Sequence, residues 1–283
     1  MSYKIWKNER QEHLAKWVRC QCHDESLPLG IFNYRGKVKT YRHILPLEAS
    51  KSEKEAIVNA IKTYNVLTDG VRFDENLLPL SKVHRYAHHL TSSQILCYNY
   101  FMLMTDEGKV KNTRSPKKEL IGLLKDKANI TISENARCQF EYVDDTIKDG
   151  TNFDFHIIDD NAEVYFEIKF TEDGFGRAKE DDDHKQKFND VYQDRLKEQK
   201  VCDQSTGCHD FLKNYQLFRN VIRVTGTNKY VIFIFPRENE SCTKMYEAFK
   251  KYFEDEADRH VKCWHWEELL KDKPYLCEKY FGR

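Results

Sequence analysis

Two runs in which apolar and polar residues alternate, 152–158 and 163–170, flank the tetrad Asp159-Asp160-Asn161-Ala162. A period of two on either side of a turn-forming stretch predicts a β-hairpin. In the second run Val164, Phe166, Ile168 and Phe170 fall on one face, with Tyr165, Glu167 and Lys169 on the other. Residues 136–143 alternate likewise and read as the first strand of a core. Residues 230–235, continuously apolar and closed by Pro236, predict a fully buried strand. Residues 260–265 predict a last strand leading into a helix at Trp266-Glu267-Glu268-Leu269-Leu270.

Other stretches carry the helical period. Leu14, Trp17 and Val18 mark a short stripe within 8–18. Ser52 and Glu55 read as a capping box that opens a helix with Ala56, Ile57, Ala60, Ile61 and Tyr64 on one side. A buried helix is expected from Ser92 or Ser93 to about Met104. Ser115-Pro116 places proline at a helix's first position, with Leu120, Leu123 and Leu124 continuing it to about Asp126. Residues 177–200 are dense in charge, yet Phe188, Val191, Tyr192, Leu196 and Gln199 form a narrow stripe. Residues 209–223 and 242–255 predict two more helices. Short strands are expected around Gly30 and Arg35-Gly36.

Composition narrows the classes. The 283 residues suffice for one large domain or two small ones, and 33% charged with 40% hydrophobic residues fits a globular protein. Lys plus Arg and Asp plus Glu both number 46, which argues against a histone-like binder but not against an enzyme whose acidic site offsets a local basic groove. No apolar run reaches a membrane span and the first residues lack a signal-peptide core, so no membrane partner and a cytoplasmic location are expected. Nine cysteines without framework spacing are expected as reduced thiols.

The hairpin register brings in chemistry. With Asp160-Asn161 as the turn, Asp159 meets Ala162, Ile158 meets Glu163, and Asp154 faces Glu167. Cross-strand partners have Cβ atoms roughly 4.5–5.5 Å apart, and two carboxylates that close repel unless a proton or cation sits between them. A hard divalent ion such as Mg²⁺ answers that repulsion. Lys169 then lies where a scissile phosphate or an attacking water would be. Glu141, on the 136–143 strand, either joins this cluster or is an exposed strand glutamate.

Asp154 followed by Glu167-Ile168-Lys169 resembles the D…ExK signature of the PD-(D/E)XK nuclease superfamily. Ser92-Ser93-Gln94, Phe140-Glu141, Phe175-Gly176 and Tyr215-Gln216 are similar to phrases in bacterial restriction-like endonucleases. The resemblance spans roughly the C-terminal 150–190 residues. It implies an α/β fold with a restriction endonuclease-like core, a mixed central sheet flanked by helices. A mostly helical region, 1–129, would pack on a core at 130–283, with helix 92–104 part of that core. It also implies metal-dependent DNA cleavage, with Asp154, Glu167 and the Ile168 carbonyl as ligands of Mg²⁺ (or Mn²⁺) and Glu141 as a further candidate. Lys169 would orient or deprotonate the water, and Gln216 and Gln94 would be auxiliary, Gln94 standing where related nucleases often carry an acid. Symmetric double-strand cutting would need a homodimer, and a companion methyltransferase or defence-system protein would fit restriction.

The remaining candidates are weaker by spacing alone. Arg177, Lys179, Lys185, Lys187 and Arg219 could follow a phosphate backbone, although a solvated helix face is the ordinary reading. Cys20, Cys22, His23, Cys202, Cys208 and His209 lack the paired spacing of structural zinc, so free thiols are expected and zinc is not. His84 and His88 have metal-pair spacing but read better as groove or capping residues, as does His89. Two other functions fit the same residues. One is a nucleic-acid-binding protein that keeps the fold without cleaving; the other is a structural protein in which Glu167 and Lys169 form only an ion pair.

Overall fold

The fold is a computed structural model that describes residues 2–27, 30–34, 37–48, 52–68, 70–147 and 149–282. It divides into two compact units. The first comprises residues 1–103, 236–239 and 265–283, and the second 104–235 and 240–264.

The first unit opens with helix α1 (Tyr3–Cys22), longer than its short apolar stripe predicted. A two-stranded antiparallel ribbon follows, β1 (Gly30–Tyr34) and β2 (Lys37–Tyr41), in keeping with the short strands expected here; Arg35 and Gly36 themselves lie outside the described residues. Helix α2 (Glu53–Thr63) buries Ala56, Ile57, Ala60 and Ile61 as its period requires. Its capping box differs from expectation. The Ser52 hydroxyl donates to Glu55 at 2.6 Å and caps no helix N–H. Helix α3 (Ser93–Leu103) is buried over most of its length.

The second unit is a mixed α/β structure, as the alternation of strand and helix patterns requires. Its sheet runs β3 (Thr105–Glu107), β4 (Arg114–Pro116), β5 (Arg137–Val143), β6 (Asn152–Ile158), β7 (Glu163–Ile168), β8 (Lys229–Phe235) and β9 (Val261–His265), in that spatial order. Neighbours from β3 to β7 pair antiparallel, and β7 with β8 is parallel. The first two strands were not foreseen, because three residues are too few to show a period. Pro116 therefore ends a strand, and helix α4 (Lys118–Ala128) starts beyond it. At a short strand's end the missing N–H of proline costs little.

Helices flank this sheet. The charged stretch forms α5 (Asp182–Lys187), a π-helical turn (Phe188–Tyr192) and α6 (Gln193–Glu198), with Phe188, Tyr192 and Leu196 buried. The expected single helix at 209–223 is broken at Asn214 into α7 (Cys208–Lys213) and α8 (Tyr215–Val221). The break frees the Gln216 N–H to donate to the Gly176 carbonyl at 3.0 Å. One apolar cluster unites Tyr165, Val231 and Phe233 of the sheet with Phe211, Leu217 and Phe218 of these helices. Helix α9 (Glu240–Phe249) adds Tyr246 and Phe249, and α10 (Ala257–His260) adds Ala257. Each such aromatic side chain gives roughly 1.5–3 kcal/mol on burial, which fixes α7 and α8 against the sheet.

The chain returns to the first unit through α11 (Trp266–Leu269) and α12 (Pro274–Phe281). Lys279 of α12 is buried, bonds the Val66 carbonyl and lies 4.8 Å from the Trp17 ring centroid. His88, with the nearby His43 and His89, is packed ring against ring in the same unit. Burial lowers the pKa of all three, to about 4 for His43 and His88 and about 3 for His89, so they are neutral at neutral pH.

Candidate active site

The hairpin register places the acidic residues. Pairs run from Ile158 with Glu163 to Phe155 with Phe166, so the next step sets Asp154 against Glu167. There Asp154 Oδ2 accepts the Ile168 N–H at 2.7 Å. On the other side β5 pairs at Phe140 with Phe155 and at Tyr142 with Phe153, leaving Glu141 between them, level with Asp154. Glu141 has φ +49°, a conformation rare for a residue with a side chain. It is buried, and its carboxylate accepts a bond from the Asn152 amide. Three adjacent strands thus contribute one carboxylate each to a single row.

Glu167 is the best-held member. It is 3% exposed, and its Oε1 accepts from Lys169 Nζ and Gln216 Nε2, both at 2.7 Å. Asn220 Nδ2 donates to Oε2 at 3.0 Å. Gln216 and Asn220 stand one helical turn apart on α8, so a single face of that helix grips one carboxylate. Gln216 is itself oriented, since its Oε1 accepts the Gly176 N–H at 2.9 Å. Asn220 did not emerge from the sequence. The i+4 spacing from Gln216 was its only signal.

Charge in this row is unbalanced. Burial raises the Asp154 pKa well above the usual carboxylate value, and the negative charges of Glu167 and Glu141 raise it further. Lys169 and the Ile168 N–H oppose that rise without cancelling it. For Lys169, burial disfavours the charge, but Glu167, Glu172 and Asp154 outweigh it and hold the pKa above the ordinary lysine value. At neutral pH Lys169 is a cation. It is therefore suited to fixing a water or phosphate oxygen and neutralising charge, rather than to removing a proton.

Behind the row, α8 is locked to the β5–β6 connection by buried ion pairs. Arg223 meets Asp144 at 3.0 Å and Asp149 at 2.7 Å, with all three side chains at most 1% exposed. Arg219 bonds Thr151 Oγ1 at 2.9 Å and Asp149 at 3.4 Å. Burial would raise the Asp149 pKa, but the bonds from Arg223 and Thr151 bring it down to about 2. This clamp sets the height of α8, and hence where Gln216 and Asn220 meet Glu167.

The other expected residues are placed as follows. Arg177, Lys179 and Lys185 are exposed, whereas Lys187 donates to the Asp149 carbonyl at 3.0 Å and Arg219 braces the same loop. Gln94 lies in the first unit, where its Oε1 accepts the His84 N–H and its Nε2 donates to the Lys82 carbonyl. Cys20 is exposed, Cys202 is buried, and all nine cysteines are free thiols. His209 pairs with Glu180 at 2.6 Å.

Residues 39–280 match the protein family described as restriction endonuclease associating with ARP. The chain belongs to this family. No curated protein and no solved structure matches it. The acidic row lies inside the span matched to this REase-ARP family, as do Lys169, Gln216 and Asn220. The seven-stranded sheet with its flanking helices is consistent with a restriction endonuclease-like core. Among the described residues no helix of this REase-ARP member is long and apolar enough to cross a membrane.

Proposed function

We propose that this protein is a magnesium-dependent endodeoxyribonuclease of the PD-(D/E)XK type, with Asp154, Glu167 and Lys169 as its catalytic set. The observation that carries the reading is the local excess of carboxylate over cation. Asp154, Glu167 and Glu141 interact electrostatically, and Lys169 is the cation set among them. Family membership supports a nuclease acting on DNA.

The donor set fits a hard cation. Among the described residues no three His, Cys, Asp or Glu side chains form a ready-made ion cage. Two carboxylates and a backbone carbonyl are nevertheless enough for Mg²⁺, which commonly keeps several waters and shares phosphate oxygens. Asp154, Glu167 and the Ile168 carbonyl would hold it, with Glu141 adding negative charge. When bound, the ion supplies a Lewis acid that acidifies water and polarises the phosphate. Lys169, held at 2.7 Å from Glu167, positions the attacking water or a phosphate oxygen and neutralises charge that develops there. Gln216 and Asn220 keep the Glu167 carboxylate from turning away. The family's name also speaks of association with ARP, so a protein partner of that name belongs to this reading.

Plasmid incubated with Mg²⁺, Mn²⁺ or EDTA tests it. Wild type is expected to cut with either ion and not in EDTA, and Lys169→Ala to fold normally without cutting. Cleavage at wild-type rate by a folded Lys169→Ala protein would overturn the assignment.

A further inference from the structure

Among the described residues the β1–β2 ribbon joins no other strand, and its make-up is unlike the rest of the chain. Between Ser26 and Leu47 the sequence holds no aspartate or glutamate, while Arg35, Lys37, Lys39 and Arg42 all fall within it. Over the whole protein the two signs are equal in number. The described structure shows where part of this charge goes. Lys37, Val38, Lys39 and Thr40 are all exposed, so side chains on both faces of β2 meet solvent. Val38, at 69%, is a large apolar side chain set between two lysines at the free end. Arg42, at the base, makes only a loose exposed pair with Glu12 at 3.4 Å.

The root of the ribbon is fixed. Gly30 lies so close to Ile44 that a Cβ there would clash with the Ile44 carbonyl. Ile44 bridges to His89, the Leu45 N–H donates to the His88 carbonyl, and the Leu90 N–H donates to that of His43. An isolated two-stranded hairpin is marginal in water. Here it is rooted at one end, and β2 presents Lys37, Val38 and Lys39 toward the other.

We propose that the β1–β2 ribbon is an arm that binds duplex DNA, entering the groove by its β2 edge so that Lys37 and Lys39 on one face reach phosphates while Val38 and Thr40 on the other face meet base edges. A two-stranded ribbon fits the width of the B-form major groove, and apolar or threonine side chains can meet a thymine methyl group there. Lysines flanking such a strand would contact phosphate and release counterions. The inference takes its DNA partner from the endonuclease reading but does not depend on the Asp154–Glu167 site being active. The rival account is that these lysines only keep an edge strand from pairing with other chains.

The test is equilibrium binding of a fluorescein-labelled duplex of mixed sequence to the full chain in EDTA, over a salt series. Wild type is compared with the Lys37→Gln/Lys39→Gln double variant. The double variant is expected to bind about tenfold more weakly at moderate salt, with the log–log salt slope shallower by about 2. A photo-crosslinking amino acid in place of Val38 keeps the proposal testable if the double variant folds poorly, and it is expected to label the duplex. Unchanged affinity and slope, no duplex binding by wild type, or crosslinking to a protein partner instead of DNA would each overturn the arm. Because no cleavage is read, loss of the arm and loss of the nuclease reading remain distinguishable: cleavage with ribbon-independent binding sinks only the arm, and ribbon-dependent binding without cleavage sinks only the nuclease.

Discussion

The two ends of the β6–β7 hairpin carry nearly the same residue types and put them to opposite uses. At the turn end Glu163 accepts from His156 Nε2 at 3.1 Å and pairs with Lys229 Nζ at 3.1 Å. The Tyr142 ring stacks on His156 with centroids 3.8 Å apart and planes within 8°. Burial alone would raise the Glu163 pKa, but His156 and Lys229 bring it down to about 2. At the far end Asp154, Glu167 and Glu141 crowd around Lys169, and the Asp154 pKa goes up. One carboxylate with its own partners is a structural fastening. Carboxylates crowded beside Lys169 instead raise the pKa of one of their number, and a carboxylate perturbed in this way can be turned to catalysis.

The largest effect should separate the two ends by activity. In magnesium-containing cleavage assays Asp154→Asn is expected to lower kcat by about 10³-fold or more, whereas Glu163→Gln stays within about threefold of wild type. Equal losses in the two variants, both folded, would break the comparison.

The next effect concerns the clamp behind the site. Arg223→Met leaves Asp144 buried without its cation and Asp149 with only the longer 3.4 Å pair to Arg219. A loss of about 3–5 kcal/mol in urea unfolding is expected from breaking a buried ion pair in this way. A loss below about 1 kcal/mol, the scale of a surface pair, would mean that the Arg223 ion pairs are not what holds α8 in place.

The smallest effect is the stability of the turn end. Glu163→Gln should cost about 1.5–3 kcal/mol, the scale of hydrogen bonds to a charged group. Its pH dependence has a definite sign. Because the folded pKa of Glu163 lies below the unfolded one, its stabilisation is complete above about pH 4.5 and is lost as the pH falls toward 2. Thermal melts of wild type and Glu163→Gln should therefore converge on acidification through that window. Parallel curves would show that the carboxylate is not ionically held.

Much of this was legible in the chain. The period-two runs around Asp159-Asp160-Asn161-Ala162 determined the hairpin, and its register set Asp154 against Glu167 without any coordinates, because side chains alternate with fixed period and a turn fixes the pairing. The apolar run at 230–235, buried from Val231 on with Tyr230 only half-buried, and the stripe at 188, 192 and 196 likewise announced their own burial. Tertiary structure alone decided which distant groups meet that row. Asn220 reaches Glu167 across 53 residues of sequence, and Arg223 reaches Asp144 across 79. Nothing local distinguishes Asn220 from an ordinary helix residue or marks Arg223, two positions beyond the end of α8. Their roles arise where α8 packs on the sheet, through apolar contacts that carry no mark of the polar pairs they enclose. Glu141 lay between these cases. Its strand was evident, but its place in the acidic row depended on which strand lay beside β6 and on a left-handed backbone turn that no alternation pattern predicts.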